Sequence, residues 1–219
     1  MTFTRSRRFV NNYIRELQQD SWNPISGYKD RDVKSLEVAV ESIDRCVDKV
    51  RVYVEEAKRD CTKTAQLTIN ESAAIYLYTM NTPFYEKLNE ALRAENPPAL
   101  EPWFDFLKLF ITALAKLPSC FTTVWRGVAN IIGSNFDENQ MFTWWSVNSC
   151  SSHASVAAGF TCEKGTLFCI NTIYGKDISA YSSAKEGEEE VVLMPGTRLR
   201  VKSKTSDING ISVVHLEEW

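Results

Sequence analysis

Several features that would identify common classes of protein are missing from this sequence of 219 residues. It has no apolar run of about 20 residues, the length that a helix needs to span a bilayer, so we expect no membrane span. The net charge is −3, so no general excess of Lys and Arg would attract nucleic acid or anionic lipid. The N-terminal stretch MTFTRSRRFVNNYIREL is basic but has no apolar core, which argues against a secretory signal. As given, the sequence predicts a cytoplasmic protein, or a secreted one if it is a piece of a longer chain.

Metal sites and disulfides also lack their usual patterns. The two histidines, His153 and His215, are far apart in the chain, and the six cysteines form no CxxC pair. Zinc ligands ordinarily cluster at short spacings, so no metal site is expected. Without a secretory signal, the cysteines are interpreted as free thiols in a reducing compartment. A disulfide set is the alternative if a signal has been removed.

The first half of the chain has the pattern of helices. Apolar residues recur at helical spacing from Leu36 to Val54, which predicts one amphipathic helix with Ser35 as its N-cap. The stretch Thr68-Ile69-Asn70-Glu71 has the form of a capping box, so a second helix is predicted to begin there. Three further helices are expected, and their apolar stripes are Tyr85, Leu88 and Leu92; Trp103, Phe106, Leu107, Phe110, Leu114 and Leu117; and, near the N-terminus, Phe9, Val10, Tyr13, Ile14 and Leu17.

After Pro118 the sequence becomes typical of β-structure. Short runs rich in β-branched and aromatic residues are separated by Gly, Asn, Asp and Ser: TTVWRGV, MFTWWSVNS, TLFCINTI, EEVVLMPGT, RLRVKS and ISVVHLEEW. One helical stretch, SSHASVAAGF, interrupts them. We therefore predict an α+β protein of one domain, residues 1–219. An N-terminal lobe that is mainly helical, 1–118, would pack on a mainly β core, 119–219, of the mostly antiparallel sandwich type.

Three polar features occur in a fixed order along the predicted strands. They are an Arg-Gly pair in VWRGV, a cluster of hydroxyl side chains in SVNSCSS, and acidic residues in EGEEEVVLMPG. In this order they resemble the R-S-E class of mono-ADP-ribosyltransferases, which includes the animal arginine-specific enzymes and several bacterial toxins. The stretch GTLFCINTIYGKDISAYS is similar to the strand and substrate-recognition loop of that family. The resemblance implies the ADP-ribosyltransferase fold, NAD as co-substrate and no metal.

The resemblance also assigns residues to the NAD site. Arg126 would hold NAD near its phosphates, a role that suits a planar guanidinium with several donors. Gly127 would let the carboxamide of NAD approach the backbone, because glycine has no Cβ. Ser149 and Ser151 match the hydroxyl element, and Phe160 matches an aromatic residue that packs on nicotinamide. Taken alone, Arg126 is more often part of a structural ion pair, a serine an ordinary turn residue, and Phe160 as readily a core residue.

The acidic run from Glu186 to Glu190 would in an arbitrary sequence most often be a solvated turn. With the other two features present, we interpret it as functional. In the family the catalytic glutamate directly precedes the aliphatic residues of a strand, which implies Glu190, oriented by Ser149, as the group that stabilises positive charge on the ribose. Glu188 would orient an acceptor guanidinium and help to remove its proton. Strand alternation predicts Glu188 and Glu190 on one face and Glu189 on the other.

We therefore predict an NAD-dependent protein-arginine mono-ADP-ribosyltransferase, which releases nicotinamide and modifies an arginine-bearing protein; no nucleic-acid partner is expected. Cys150 stands in the place of the family's middle hydroxyl residue and weakens that motif. The alternative is an NAD glycohydrolase that uses the same site with water as acceptor. A non-enzymatic NAD-sensing module is disfavoured because Arg126, Ser149, Glu188 and Glu190 are all present. An ordinary two-carboxylate glycosidase would not explain the Arg-Gly pair.

Overall fold

The computed structural model of the chain describes residues 25–94, 96–129, 136–159, 165–184, 189–208 and 211–219. The predicted N-terminal helix and the predicted site residues Phe160 and Glu188 lie outside the described residues. The described residues form two compact units. Those within Ser119–Gly175 and Glu188–Trp219 are called the β unit, and those within Ser21–Pro118 and Lys176–Gly187 the helical unit.

The helical unit contains six α-helices and three short 3-10 helices within its described residues. The α-helices are α1 (Leu36–Ala39), α2 (Val50–Asp60), α3 (Ile69–Thr79), α4 (Phe84–Arg93), α5 (Pro97–Leu100) and α6 (Phe104–Lys116), and the 3-10 helices are Ser26–Asp30, Glu41–Ile43 and Glu101–Trp103. The predicted capping box at the start of α3 is confirmed. Thr68 Oγ1 accepts a hydrogen bond from the Glu71 amide at 3.3 Å, and Glu71 Oε2 accepts one from the Thr68 amide at 2.8 Å. Each side chain thus satisfies a backbone amide that the helix leaves without a partner.

The core of the helical unit is built around α6. The whole stripe from Trp103 to Leu117 that the sequence predicted to be apolar and helical is buried. The Phe106 ring packs against the rings of Phe84, at a centroid distance of 4.7 Å, and Phe110, at 5.6 Å. The prediction that these aromatic residues form core is therefore confirmed.

The single helix predicted from Leu36 to Val54 is wrong. The chain instead forms α1, the 3-10 helix Glu41–Ile43, a turn and then α2, which begins after Lys49. Lys49 has a left-handed backbone with φ 59°, which cannot lie inside a right-handed helix. Ser35 occupies the N-cap position of α1, but its side chain makes no capping hydrogen bond. All the predicted apolar positions are nevertheless buried: Leu36, Ala39, Val40, Ile43, Val47, Val50 and Val54.

The β unit contains a sheet of seven strands and the short helix α7 (Ala154–Ala158). The strands are β1 (Ser119–Val128), β2 (Met141–Trp144), β3 (Asn148–Ser151), β4 (Gly165–Asp177), β5 (Glu190–Leu193), β6 (Thr197–Ile208) and β7 (Ile211–Glu218). Their order is β1-β3-β5-β4-β7-β6-β2, and β1 also pairs with β4. Strands β1, β3, β5 and β4 therefore form a closed four-strand ring, which β7, β6 and β2 extend.

The predicted mostly antiparallel core is confirmed by the strand pairing. The pairs β1–β3, β3–β5, β2–β6 and β6–β7 are antiparallel, whereas β4 and β7 are parallel. The pairing describes a ring with an extension rather than the predicted sandwich. All seven strands contribute to one hydrophobic cluster, which also contains Phe136 and which we call the main core; its largest strand residues are Phe142, Trp144 and Phe168.

The last residues of β4 and the described segment after them, from Lys176, belong to the helical unit. Lys176 Nζ donates to the carbonyl of Leu117 at 2.8 Å, and the amide of Ser183 donates to Thr79 Oγ1, also at 2.8 Å. The end of β4 and the segment after it are thus hydrogen-bonded to other residues of the helical unit.

Two further sequence expectations concern thiols and membranes. Cys46, Cys61, Cys120, Cys150 and Cys169, the cysteines within the described residues, are free thiols. Within the same part of the chain, every helix is too short or too polar to cross a bilayer.

Candidate active site

The predicted catalytic glutamate and the predicted serines lie on neighbouring strands of the four-strand ring. In the antiparallel pair β3–β5, Ser151 is directly opposite Glu190, and Ser149 is directly opposite Val192. Residues that face each other in register, and residues two apart along one strand, have their side chains on the same face of a sheet. Ser149, Ser151 and Glu190 therefore share one face, which we call the polar row. All three are buried, and Glu190 is only 1% exposed.

Cys150 lies on the opposite face of β3. It is directly opposite Val191, and both residues belong to the main core. Burial raises the pKa of the Cys150 thiol to about 12, so the thiol stays protonated at neutral pH. The replacement that weakened the sequence motif therefore concerns a core position, and it leaves the hydroxyl groups of the polar row in place.

A hydrogen bond from Arg126 connects β1 to β3. Its guanidinium is buried, with the residue 4% exposed, and NH1 donates to the backbone carbonyl of Ser149 at 2.7 Å. The neighbouring residue Trp125 is directly opposite Ser151 in the β1–β3 pair. Gly127 follows in β1 and is also buried. The structure thus brings a permanent positive charge and the first serine of the polar row into direct contact.

Glu189, the residue before Glu190, makes contacts that the sequence pattern does not predict. The carbonyl of Glu189 accepts a hydrogen bond from the Ser152 amide at 3.3 Å. Its carboxylate accepts a hydrogen bond from Ser152 Oγ and lies 3.1 Å from His153 Nε2. Hydrogen bonds from Ser152 and then from His153 lower the pKa of the Glu189 carboxyl below its usual value. We call Ser152, His153 and Glu189 the clamp.

The clamp could have been suspected from the sequence. His153 is one of only two histidines in the chain, and it comes two residues after the second serine of the hydroxyl element. Its backbone amide donates to Ser151 Oγ at 3.1 Å, so the same turn contacts both the polar row and Glu189. Strand alternation had predicted only that Glu189 would face away from Glu190.

Strand alternation does not assign Glu188 to either face of the sheet. Strand β5 begins at Glu190, and Glu189 has φ 29°, which is far from an extended backbone. Because Glu189 is not part of the strand, the side of the sheet on which Glu188 lies does not follow from counting residues. Glu188 and Phe160, both outside the described residues, remain predictions from the sequence.

The polar row and Arg126 form a set of groups with defined chemistry. Two hydroxyl groups can donate or accept hydrogen bonds, the carboxylate can stabilise positive charge, and the guanidinium can bind an anion in a planar, two-pronged manner. Burial of these groups strengthens their electrostatic interactions relative to water. Within the part of the chain that the structure describes, no cluster of three His, Cys, Asp or Glu side chains is arranged to hold a metal ion.

Comparisons with known proteins give one family and one fold. A family model described as NAD:arginine ADP-ribosyltransferase matches residues 30–219. A search of curated protein sequences finds no significant match. Among solved structures, the ADP-ribosyltransferase Vis in complex with agmatine, a Vibrio splendidus toxin, has a TM-score of 0.60 at 20% identity, with 90% of each chain covered.

Two other bacterial proteins have the same fold. Exoenzyme S from Pseudomonas aeruginosa, solved with human 14-3-3 protein beta and bound to Carba-NAD, has a TM-score of 0.62 at 20% identity, covering 84% of this chain and 88% of that chain. The ADP-ribosyltransferase HopU1 of Pseudomonas syringae pv. tomato DC3000 has a TM-score of 0.59 at 19% identity, covering 93% of this chain and 100% of that chain. At these identities the likeness establishes a shared fold.

Proposed function

The chain belongs to the NAD:arginine ADP-ribosyltransferase family, and we propose that the polar row is part of its active site and that its acceptor is an arginine of a protein. Its activity is the transfer of ADP-ribose from NAD to arginine, with release of nicotinamide. The observation that carries the proposal for the site is the register of β3 and β5, which sets Ser151 directly opposite Glu190. Arg126, whose NH1 donates to the backbone carbonyl of Ser149, adds a buried positive charge next to the first serine of the polar row.

The residues present suit NAD. A dinucleotide offers a charged pyrophosphate and several ribose hydroxyls, which match a guanidinium, two serine hydroxyls and a carboxylate. We assign Arg126 to the phosphates, and we assign Gly127, Ser149, Ser151 and Phe160 to the remainder of the NAD site. The Carba-NAD complex of exoenzyme S, which has the same fold, supports this assignment.

Glu190 is assigned the catalytic role. Bound NAD supplies the ADP-ribosyl group, and cleavage of its bond to nicotinamide develops positive charge on the ribose. A carboxylate that is fixed in place and removed from water stabilises such a charge strongly. Glu190 meets both conditions, because it is in the β3–β5 ladder and 1% exposed. Ser149 and Ser151 on the same face would orient it.

The acceptor requires a second carboxylate. An arginine guanidinium is protonated at neutral pH, with a pKa above about 12, and is a poor nucleophile in that form. We assign Glu188 to orient the guanidinium and to accept its proton. The agmatine complex of Vis supports a guanidinium acceptor, since agmatine carries that group.

We also propose that the two units act as one catalytic domain. The family model runs without interruption over residues 30–219 and so includes described residues of both units. The segment after β4, which is hydrogen-bonded within the helical unit, leads directly toward the acidic run.

Replacing Glu190 by glutamine tests the catalytic assignment. Glutamine keeps the size of the side chain but removes the charge, so nicotinamide release should fall about a hundredfold or more. NAD affinity should be largely retained. The matched control is Glu71→Gln, which neutralises a carboxylate that is also buried but lies in α3; it should retain activity. Near-normal NAD cleavage by the folded Glu190→Gln enzyme would overturn the assignment.

Replacing Glu188 by glutamine tests the acceptor assignment. Transfer of ADP-ribose to agmatine should fall steeply, whereas NAD hydrolysis in the absence of acceptor should persist. The measured quantity is the ratio of ADP-ribosylated agmatine to free ADP-ribose, compared with the wild-type ratio. An equal loss of both products would place Glu188 in the NAD-cleaving machinery. A wild-type ratio near zero with varied arginine acceptors would favour an NAD glycohydrolase.

A further inference from the structure

We propose that Glu189 is a positioning residue for the arginine acceptor and that it acts through its contacts with Ser152 and His153. The proposal rests on the proposed function, because it takes Glu188 as the carboxylate that receives the acceptor guanidinium. Glu189 would therefore influence the partition of ADP-ribose between arginine and water, and not the cleavage of NAD itself.

The first observation is the backbone of Glu189. Its φ of 29° lies in the left-handed region, which glycine and asparagine adopt readily and a glutamate does not. A glutamate keeps such a conformation only where its surroundings hold it there. The clamp supplies three such contacts: the Ser152 amide to the Glu189 carbonyl, Ser152 Oγ to the carboxylate, and His153 Nε2 to the carboxylate at 3.1 Å.

The second observation is the position of these contacts relative to the polar row. The hydrogen bond between the Ser152 amide and the Glu189 carbonyl continues the pairing of β3 and β5 one step beyond Ser151 and Glu190. The His153 amide donates to Ser151 Oγ at 3.1 Å. The turn after β3 thus fixes Glu189 and touches the catalytic face at the same time.

The third observation separates Glu189 from Glu190. Glu190 is buried and held by strand pairing, so it does not need the clamp to keep its place. The side chains of Glu189 and His153 are 59% and 57% exposed, and exposed polar contacts of this kind contribute little to global stability. The backbone angles at Glu189 set the direction in which the chain continues to Glu188. Loss of the clamp should therefore change the acceptor side of the reaction.

The test compares transfer and hydrolysis in clamp variants of the full chain. In Glu189→Ala, the ratio of ADP-ribosylated agmatine to free ADP-ribose should fall about three- to tenfold, through a higher KM for agmatine. The KM for NAD and the rate of NAD hydrolysis without acceptor should stay within about twofold of wild type. The double variant Ser152→Ala/His153→Ala should have the same effect as Glu189→Ala.

Combined and conservative variants sharpen the test. Adding Glu189→Ala to the double variant should change nothing further, because the three residues act through the same contacts. Glu189→Gln, which still accepts hydrogen bonds, should recover part of the ratio. Glu90→Gln is the matched control, since it removes an exposed carboxylate that pairs with Lys87 in α4, and it should behave as wild type.

Several results would overturn the proposal. An unchanged ratio in Glu189→Ala, with a lowered ratio in Glu188→Gln, would remove the role of the clamp and leave the proposed function standing. A parallel loss of hydrolysis and transfer would make Glu189 a support of Glu190. Additive effects of Glu189→Ala and the double variant would show that the contacts do not act together. An unchanged ratio in Glu188→Gln would refute the acceptor assignment and this proposal with it. If Glu189→Ala fails to fold, His153→Ala alone gives the same comparison.

Discussion

Replacing Arg126 by alanine asks whether this buried arginine binds NAD or only stabilises the fold. The guanidinium is 4% exposed and donates to the Ser149 carbonyl at 2.7 Å. We expect Arg126→Ala to weaken NAD binding and Arg126→Lys to restore only part of it, because lysine keeps the charge but lacks the planar pair of donors. Arg200 is the matched control, since it is a half-exposed arginine of the same unit that pairs with Glu217.

The two roles of Arg126 predict different magnitudes. Removing the donor to a buried carbonyl should cost about 1–3 kcal/mol of unfolding free energy. In a protein of this length, each kcal/mol corresponds to about 2–4 °C in Tm, so Tm should fall by about 2–12 °C. A charge-assisted contact with a phosphate contributes about 1.5–3 kcal/mol to the free energy of binding. Its loss should therefore raise the Kd for NAD about tenfold to 150-fold. Arg200→Ala should cost at most about 1 kcal/mol and leave the Kd unchanged.

Calorimetric titration of NAD, performed well below the Tm of each variant, separates the two effects. Thermal unfolding with and without NAD provides a second readout, because the shift in Tm that NAD causes depends on its Kd. If folded Arg126→Ala binds NAD as tightly as wild type while its Tm is lowered, the arginine has a structural role only. Full rescue by Arg126→Lys would refute the two-pronged contact.

Three further predictions concern packing and charge. Burial raises the pKa of the Cys150 thiol to about 12, so this thiol should resist iodoacetamide at pH 8 in the native protein, whereas the exposed Cys46 should react. Mass spectrometry of the labelled peptides distinguishes the two cysteines. Rapid labelling of Cys150 would contradict its core position. Although burial acts to raise the pKa of Glu71, hydrogen bonds from Lys116 and the α3 cap lower it overall, so its stabilising effect is present above about pH 4.3 and is lost as the pH falls through the folded-state pKa. In urea unfolding, the free energy of unfolding of Glu71→Gln should accordingly be lower than that of wild type at pH 7, and this difference should shrink below pH 4. A difference that does not change with pH would contradict the prediction. Gly175→Ala should lower the Tm, because its Cβ would come within 2.9 Å of a methyl group on β5.

The helices were predictable where local signals agree. The start of α3 follows from a capping box, and α6 follows from a long apolar stripe, because both features act between residues three or four apart. The region from Leu36 to Val54 has equally regular spacing, yet it contains a turn and the left-handed Lys49. Turns and 3-10 helices also bury residues three or four apart, so the spacing predicted the buried face and not the continuity of the helix.

The strands were predictable as short apolar runs, but their partners were not. The run MFTWWSVNS covers β2 and the start of β3, and β2 pairs with β6 whereas β3 pairs with β1 and β5. Those partners lie far away in the sequence, so no local pattern specifies them. The position of Cys150 could have been predicted, because alternation within Ser149-Cys150-Ser151 separates the thiol from the two hydroxyls. The same rule does not extend to Glu188, because it assumed a strand through Glu189, whose φ is 29°.

The register of the polar row is fixed by the same burial that folds the ring. On β3 and β5, Cys150 and Val191 face the main core, while Ser151 and Glu190 share the other face. A shift of β5 by one residue would exchange the faces and place the Glu190 carboxylate in that apolar core. An unpaired carboxylate buried there would cost far more free energy than a contact with a serine could offset, so the shifted pairing is excluded. The alternation of apolar and polar residues thus stabilises the sheet and sets Glu190, the proposed catalytic residue, opposite Ser151 at the same time.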